Sequence, residues 1–163
     1  LWSDGGYRLP ITDGSVRTPE QFHDYWMDII RGYGLRILED PFREQDPESW
    51  TRLTTAQESC WTIGDNFYSS SAGRIEEGAA HRRTHGAVIK PNQAGTVTAV
   101  RRAVEACRKT GQVAITSHRS ISTEETFIST LTCLSGVGYI KIGPLATDYS
   151  SVLRLNAIIR LTE

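Results

Sequence analysis

Apolar residues in this chain gather in short runs at 35–38, 60–63, 87–89, 113–116 and 139–142, a spacing of about 25 residues each time. Runs this short, rich in Ile, Val, Leu and Ala, predict strands. Helical patterns lie between them. Val97, Val100, Val104 and Cys107 share one face, and so do Phe127, Ile128, Leu131 and Leu134. Thr96 supplies a start signal for the first of these, while Ser122 with Glu125 three residues later forms a capping box for the second. Thr18-Pro19-Glu20-Gln21 opens an earlier helix carrying Phe22, Tyr25, Trp26, Ile29 and Ile30, with Gly32 and Gly34 as stop signals. A last helix is predicted from about Ser150, with Val152, Leu155 and Ile159 facing inward. Residues 1–16, rich in Gly, Asp and Ser, read as an irregular lead-in.

Strand alternating with helix at this period is the βα repeat of a parallel sheet. The pattern predicts an α/β fold, a partial TIM-type (β/α) barrel of about five parallel strands with outer helices. A closed barrel takes eight strands and commonly about 250 residues. Five strands left open would expose sheet edges. The missing wall is therefore expected from an N-terminal portion outside these residues, or from another copy or chain.

Composition narrows the partners. A formal net charge of −1 with both signs interspersed gives no electrostatic footprint for nucleic acid. No apolar stretch approaches the roughly 18 residues of a membrane span, so the expected partner is a small molecule or another protein. Cys60, Cys107 and Cys133 are odd in number, widely spaced and embedded in apolar patterns, which predicts free buried thiols in a reducing compartment. Leu1 opens no signal-peptide pattern, and the chain has no initiator Met.

Chemistry collects where the apolar runs end. Glu39 and Asp65 follow neighbouring predicted strands, whose equivalent ends lie a few ångströms apart in a barrel, so the two carboxylates can converge on a hard divalent cation such as Mg²⁺. Lys90 ends an otherwise apolar strand, and a buried lysine stem favours the neutral amine of a general base. Lys141 stands the same way on the last strand. His118, Arg119 and Ser120, between a strand and a predicted helix start, form a phosphate or carboxylate receptor from guanidinium, hydroxyl and backbone N–H groups. The same residues also serve plainer ends: a solvated acidic loop, a snorkelling lysine, an internally paired arginine. His23, His81 and His85 lack metal-ligand spacing and read as surface or structural.

In order and spacing, Leu38-Glu39-Asp40-Pro41-Phe42, Ile63-Gly64-Asp65, the segment from Ile89-Lys90-Pro91-Asn92-Gln93 to Thr98, Ser117-His118-Arg119-Ser120 and Ile140-Lys141-Ile142-Gly143 resemble the C-terminal barrel of enolase over nearly the whole chain. The resemblance implies Mg²⁺ held at Glu39 and Asp65, and a Lys90 base that removes the C2 proton of 2-phosphoglycerate. It also implies substrate contact from Lys141 and phosphate binding at the His118, Arg119 and Ser120 motif, a Lys base beside Mg²⁺ being a known pattern for stabilising an ene-diolate. It further implies a glycolytic, cytoplasmic enzyme that forms a homodimer or larger assembly at full length. Departures stand beside it. The family's first metal aspartate, general-acid glutamate and capping-loop serine lie N-terminal to these residues, so the 163 residues alone are expected to be inactive. Asn66 replaces a second Asp, Ile121-Ser122-Thr123 replaces Gly-Glu-Thr, Ile142 replaces Thr, and residues 144–151 diverge from a subunit-contact segment. A diverged paralogue is implied, and a non-catalytic enolase-like scaffold or assembly protein is the alternative.

Overall fold

The computed structural model describes residues 1–3, 5–119, 124–145 and 147–163. A small antiparallel meander of β1 (Trp2–Ser3), β2 (Gly6–Arg8) and β3 (Val16–Arg17) replaces the irregular lead-in expected at the N-terminus. Its turn residues hid it, because strands of two and three residues carry no readable alternation. The meander is held to the body by Tyr7, which stacks on Phe22 at 4.4 Å between ring centres and donates its hydroxyl to Asp46 at 2.8 Å.

α1 (Pro19–Tyr33) begins as its capping box requires. Thr18 Oγ1 accepts the Gln21 N–H at 3.3 Å, Gln21 Oε1 accepts the Thr18 N–H at 3.0 Å, and Gly34 ends the helix at φ 61°. Five strands then pair in chain order in one parallel sheet: β4 (Ile37–Glu39), β5 (Trp61–Gly64), β6 (Gly86–Ile89), β7 (Val113–Ser117) and β8 (Tyr139–Lys141). The connections carry α2 (Pro47–Ala56), α3 (Ala72–Ala80), the short α4 (Pro91–Ala94), α5 (Val97–Thr110) and α6 (Phe127–Ser135), and α7 (Tyr149–Thr162) closes the chain. This is the expected α/β architecture, a sheet curled into half a barrel with helices around it.

Strand alternation divides the core in two. Leu38, Ala87 and Ile89 face the helices and join Trp50, Leu53, Ile75, Val100 and Val104 in the main core. The opposite parity, Ile63, Val88 and Ile115 with Trp61 and Val113 packed on them, makes a second cluster on the concave face. There Trp61 of β5 meets Tyr139 of β8 edge-on at 5.5 Å, across two intervening strands. Such a contact requires strong curvature.

Several helix faces differ from expectation. Val97, Phe127 and Leu134 are exposed, while Val100, Val104, Ile128 and Leu131 are buried. α6 starts at Phe127 rather than at Ser122, which lies outside the described residues; Glu125 Oε2 accepts the Phe127 N–H at 2.7 Å. In α7 the inward face is Ser150, Ser151 and Arg154 instead of Val152, Leu155 and Ile159. The turn is set by polar contacts: Arg154 donates to the Ile142 carbonyl at 3.1 Å, and the Ser129 hydroxyl donates to the Arg154 carbonyl at 2.9 Å. Cys60 and Cys107 are buried free thiols, but Cys133 is only half-buried because it sits on the outer flank of α6. No helix among the described residues is long and apolar enough to cross a membrane.

Candidate functional site

The parity that sends Trp61 and Ile63 to the concave face sends Asp65, one residue past the end of β5, the same way. It does likewise for Lys90 after Val88, Lys141 after Tyr139 and Glu39 after Ile37. Parallel register keeps these ends level, with Glu39 opposite Ile63, Ile89 opposite Thr116 and Ser117 opposite Lys141. Four charged side chains thus collect at the C-terminal rim of the curled sheet, where barrel folds carry their chemistry.

They form two ion pairs. Lys90 Nζ makes a short contact with Asp65 Oδ2, and both side chains are largely buried. Lys141 Nζ donates to both Glu39 oxygens, at 2.7 and 2.6 Å, and this pair is more open to solvent. Because β4 and β8 are the edges of the sheet, the Glu39–Lys141 pair joins its two ends across the mouth. Burial alone would raise the Asp65 carboxyl; the hydrogen bonds from Lys90 and Gln93 outweigh it and hold the group below the usual carboxylate range.

Three further residues complete the arrangement. Asp40 sits at φ 44°, a left-handed conformation that Asp tolerates better than most residues. Its carboxylate accepts the backbone N–H groups of Asp65 at 2.8 Å and Asn66 at 2.9 Å, so it fixes the turn that presents Asp65. Burial pushes the Asp40 carboxyl upward, the two N–H groups pull it back, and the neighbouring Asp65 and Glu39 charges raise it again. Gln93 Nε2 donates to Asp65 Oδ1 at 2.9 Å, and Ser70 joins Gln93 to Lys90. Asp40 and Gln93 stand inside motifs that pattern reading singles out, yet the Asp65 that each of them bonds to lies 25 and 28 residues away. Ser70 gave no signal in the polar stretch 69–71.

His118 and Arg119 follow β7 at the same rim. The His118 Nδ1–H donates to the Arg119 carbonyl, and Arg119 is exposed in a groove it shares with His118, Pro91, Asn92 and Phe127. Ser120 lies outside the described residues. Gly143, at φ 96°, carries the chain away from Lys141. A β-carbon there would stand 2.5 Å from Ser151 Oγ and 3.3 Å from His118 Nε2, so only glycine lets the turn pass this close.

A hard cation fits the donor set in kind, since Glu39 and Asp65 offer carboxylate oxygens from adjacent strands, but each carboxylate is paired with an ammonium group that a cation would have to displace. Among the described residues no group of three or more His, Cys, Asp or Glu side chains is arranged around a metal position.

The sequence matches the family model for the enolase C-terminal TIM barrel domain over residues 3–163. Among curated relatives, the enolase of Mycobacterium leprae (strain TN) is 32% identical over 165 aligned residues, which take in 100% of this chain and 38% of that protein. The chain therefore spans less than two-fifths of the relative's length.

Proposed function

The chain belongs to the enolase family, and from that premise we propose that residues 1–163 are the C-terminal part of the barrel of a phosphopyruvate hydratase, a carbon–oxygen lyase. It interconverts 2-phosphoglycerate and phosphoenolpyruvate in glycolysis, in the cytoplasm, as a homodimer or larger assembly. The single observation that carries this reading is the pairing at the rim: a largely buried lysine on a carboxylate of the next strand, beside a second lysine–carboxylate pair.

In this reading Lys90, once neutral, takes the C2 proton of the substrate. Lys141 contacts the substrate, and because its pair with Glu39 is partly open to solvent it can leave Glu39 for the incoming anion. Arg119, with its guanidinium exposed beside Asn92, receives the phosphate together with His118 and Ser120. Glu39 and Asp65 would hold Mg²⁺, which when bound supplies positive charge to the acid function on which negative charge develops. Asp40 keeps Asp65 in place throughout.

The test uses the longer protein with millimolar Mg²⁺, following phosphoenolpyruvate by its ultraviolet absorbance. Turnover that Lys90→Ala lowers by the ~10²–10⁴-fold typical of a lost general base supports the reading. A folded longer protein that binds Mg²⁺ but shows no turnover would favour the non-catalytic scaffold instead. The 163 residues alone are expected to give none, because no residue among them matches the family's general acid.

A further inference from the structure

Around Lys90 the hydrogen bonds close into a ring. The Lys90 backbone N–H donates to Ser70 Oγ at 2.8 Å, the Ser70 hydroxyl donates to Gln93 Oε1 at 2.7 Å, and Gln93 Nε2 donates to Asp65 Oδ1 at 2.9 Å. Lys90 Nζ on Asp65 Oδ2 completes it. Ser70 and Gln93 each accept one bond and donate one. The amide of Gln93 has a single workable orientation, since reversing it would set its carbonyl oxygen against the Asp65 carboxylate.

Ser70 occupies an unusual place for this task. It is 2% exposed and stands at φ 57°, next to Ser69 at φ 45°, where serine is rarely found and glycine is at ease. A buried, strained, non-glycine residue persists only where its surroundings compensate. Here what only serine adds over glycine is the hydroxyl, and both of that hydroxyl's bonds serve the ring.

We propose that Ser70 and Gln93 are positioning residues for the Lys90–Asp65 pair. Ser70 fixes the Gln93 amide and the Lys90 backbone, Gln93 fixes one Asp65 oxygen, and the other oxygen is left to hold the Lys90 ammonium in one place. The inference rests on the proposed reading, in which Lys90 is the base and Asp65 a metal ligand. In the longer protein, loss of the ring would lower kcat with little change in KM.

The chain has only three lysines, Lys90, Lys109 and Lys141, so their ammonium groups are resolvable by nitrogen-labelled NMR at mildly acid pH. Lys90 is expected to exchange its ammonium protons more slowly than Lys109. Ser70→Gly relieves the backbone but deletes the hydroxyl, and Ser70→Thr keeps the hydroxyl but strains the backbone further. The proposal expects opposite outcomes. Ser70→Gly should keep or raise the melting temperature while Lys90 exchange speeds up about fivefold, the order of one hydrogen bond between neutral groups. Ser70→Thr should lower the melting temperature and leave Lys90 protected. Gln93→Leu should match Ser70→Gly at Lys90 and leave Lys141 unchanged. Unaltered Lys90 exchange in Ser70→Gly would overturn the proposal and reduce Ser70 to a backbone element. The measurement needs neither metal nor substrate, so it stands or falls separately from the lyase activity.

Discussion

His85 works at the far end of the strands from the rim. Its Nδ1 accepts the Thr62 backbone N–H at 3.1 Å and faces the Thr62 hydroxyl at 3.0 Å, which leaves no room there for a second proton. Burial lowers its pKa below the ordinary 6.5. In the unfolded chain this histidine protonates near that ordinary value, whereas the folded chain resists to lower pH. Its contribution to stability is complete above pH 6.5 and is lost as pH falls from there through the depressed folded value. Urea midpoints measured at about pH 7.5 and about pH 5 should therefore drop for the native chain, with a smaller drop in His85→Gln, whose side chain does not titrate. An equal drop in both proteins would assign the acid sensitivity elsewhere. The contrast with Ser70 shows what can be read from a residue alone. Glu39, Lys90 and Lys141 were legible because each interrupts or ends an apolar strand, and strand parity carries a side chain to a definite face. Ser70 was not, since its place depends on two successive serines at positive φ, which local preference argues against.

Helices with an apolar stripe and a start signal, α1 and α5, were readable from the sequence; α2 and α3 were not. α2 begins well, with Asp46 Oδ1 accepting the Ser49 N–H and Pro47 at its first position, but Trp50 and Leu53 are its only buried apolar side chains, beside the buried Thr54 that bonds to Thr62 and the Arg83 carbonyl. In α3, Ile75 is the one large apolar residue. Gly78 supplies the rest of its fit by leaving space for the Tyr68 ring, whose Oη would lie 2.0 Å from a β-carbon at that position. These helices are specified by the surface they cover, and that surface is assembled from distant parts of the chain. Trp50 is correspondingly important: it is fully buried, stacks on Phe67 at 4.2 Å and donates its indole N–H to the Arg43 carbonyl at 3.1 Å. Trp50→Ala should cost about 3–5 kcal/mol in chemical denaturation. A loss under about 1 kcal/mol would mean that α2 contributes little to the cooperative fold.

At the largest scale, residues 37–141 hold five parallel strands in a curved sheet, and the count of five strands at a regular period was enough to foresee that part of a barrel. The bridge between its two ends was not foreseeable, because Glu39 and Lys141 lie 102 residues apart in sequence. Both side chains are about one-third to two-fifths exposed, so water weakens the bond. A double-mutant cycle of Glu39→Gln and Lys141→Met should give a coupling of about 0.2–1 kcal/mol, falling as salt is added. Coupling absent at low salt would leave the curve to the strand ladder and the packing on its two faces. The edge-on meeting of Trp61 and Tyr139 makes that curve measurable by light. An indole and a phenol at 5.5 Å are close enough for excitation absorbed by Tyr139 to be emitted by Trp61, and the share lost in Tyr139→Phe separates this pair from Trp2–Tyr7 and Tyr25–Trp26, which are as close. Of the four tryptophans, Trp61 is the one packed on the concave cluster. With Trp61 fluorinated, its resonance becomes a gauge of how far the mouth is open, and any cation or acid that loosens the Glu39–Lys141 bridge can be followed from inside the barrel, with no chromophore on the ligand.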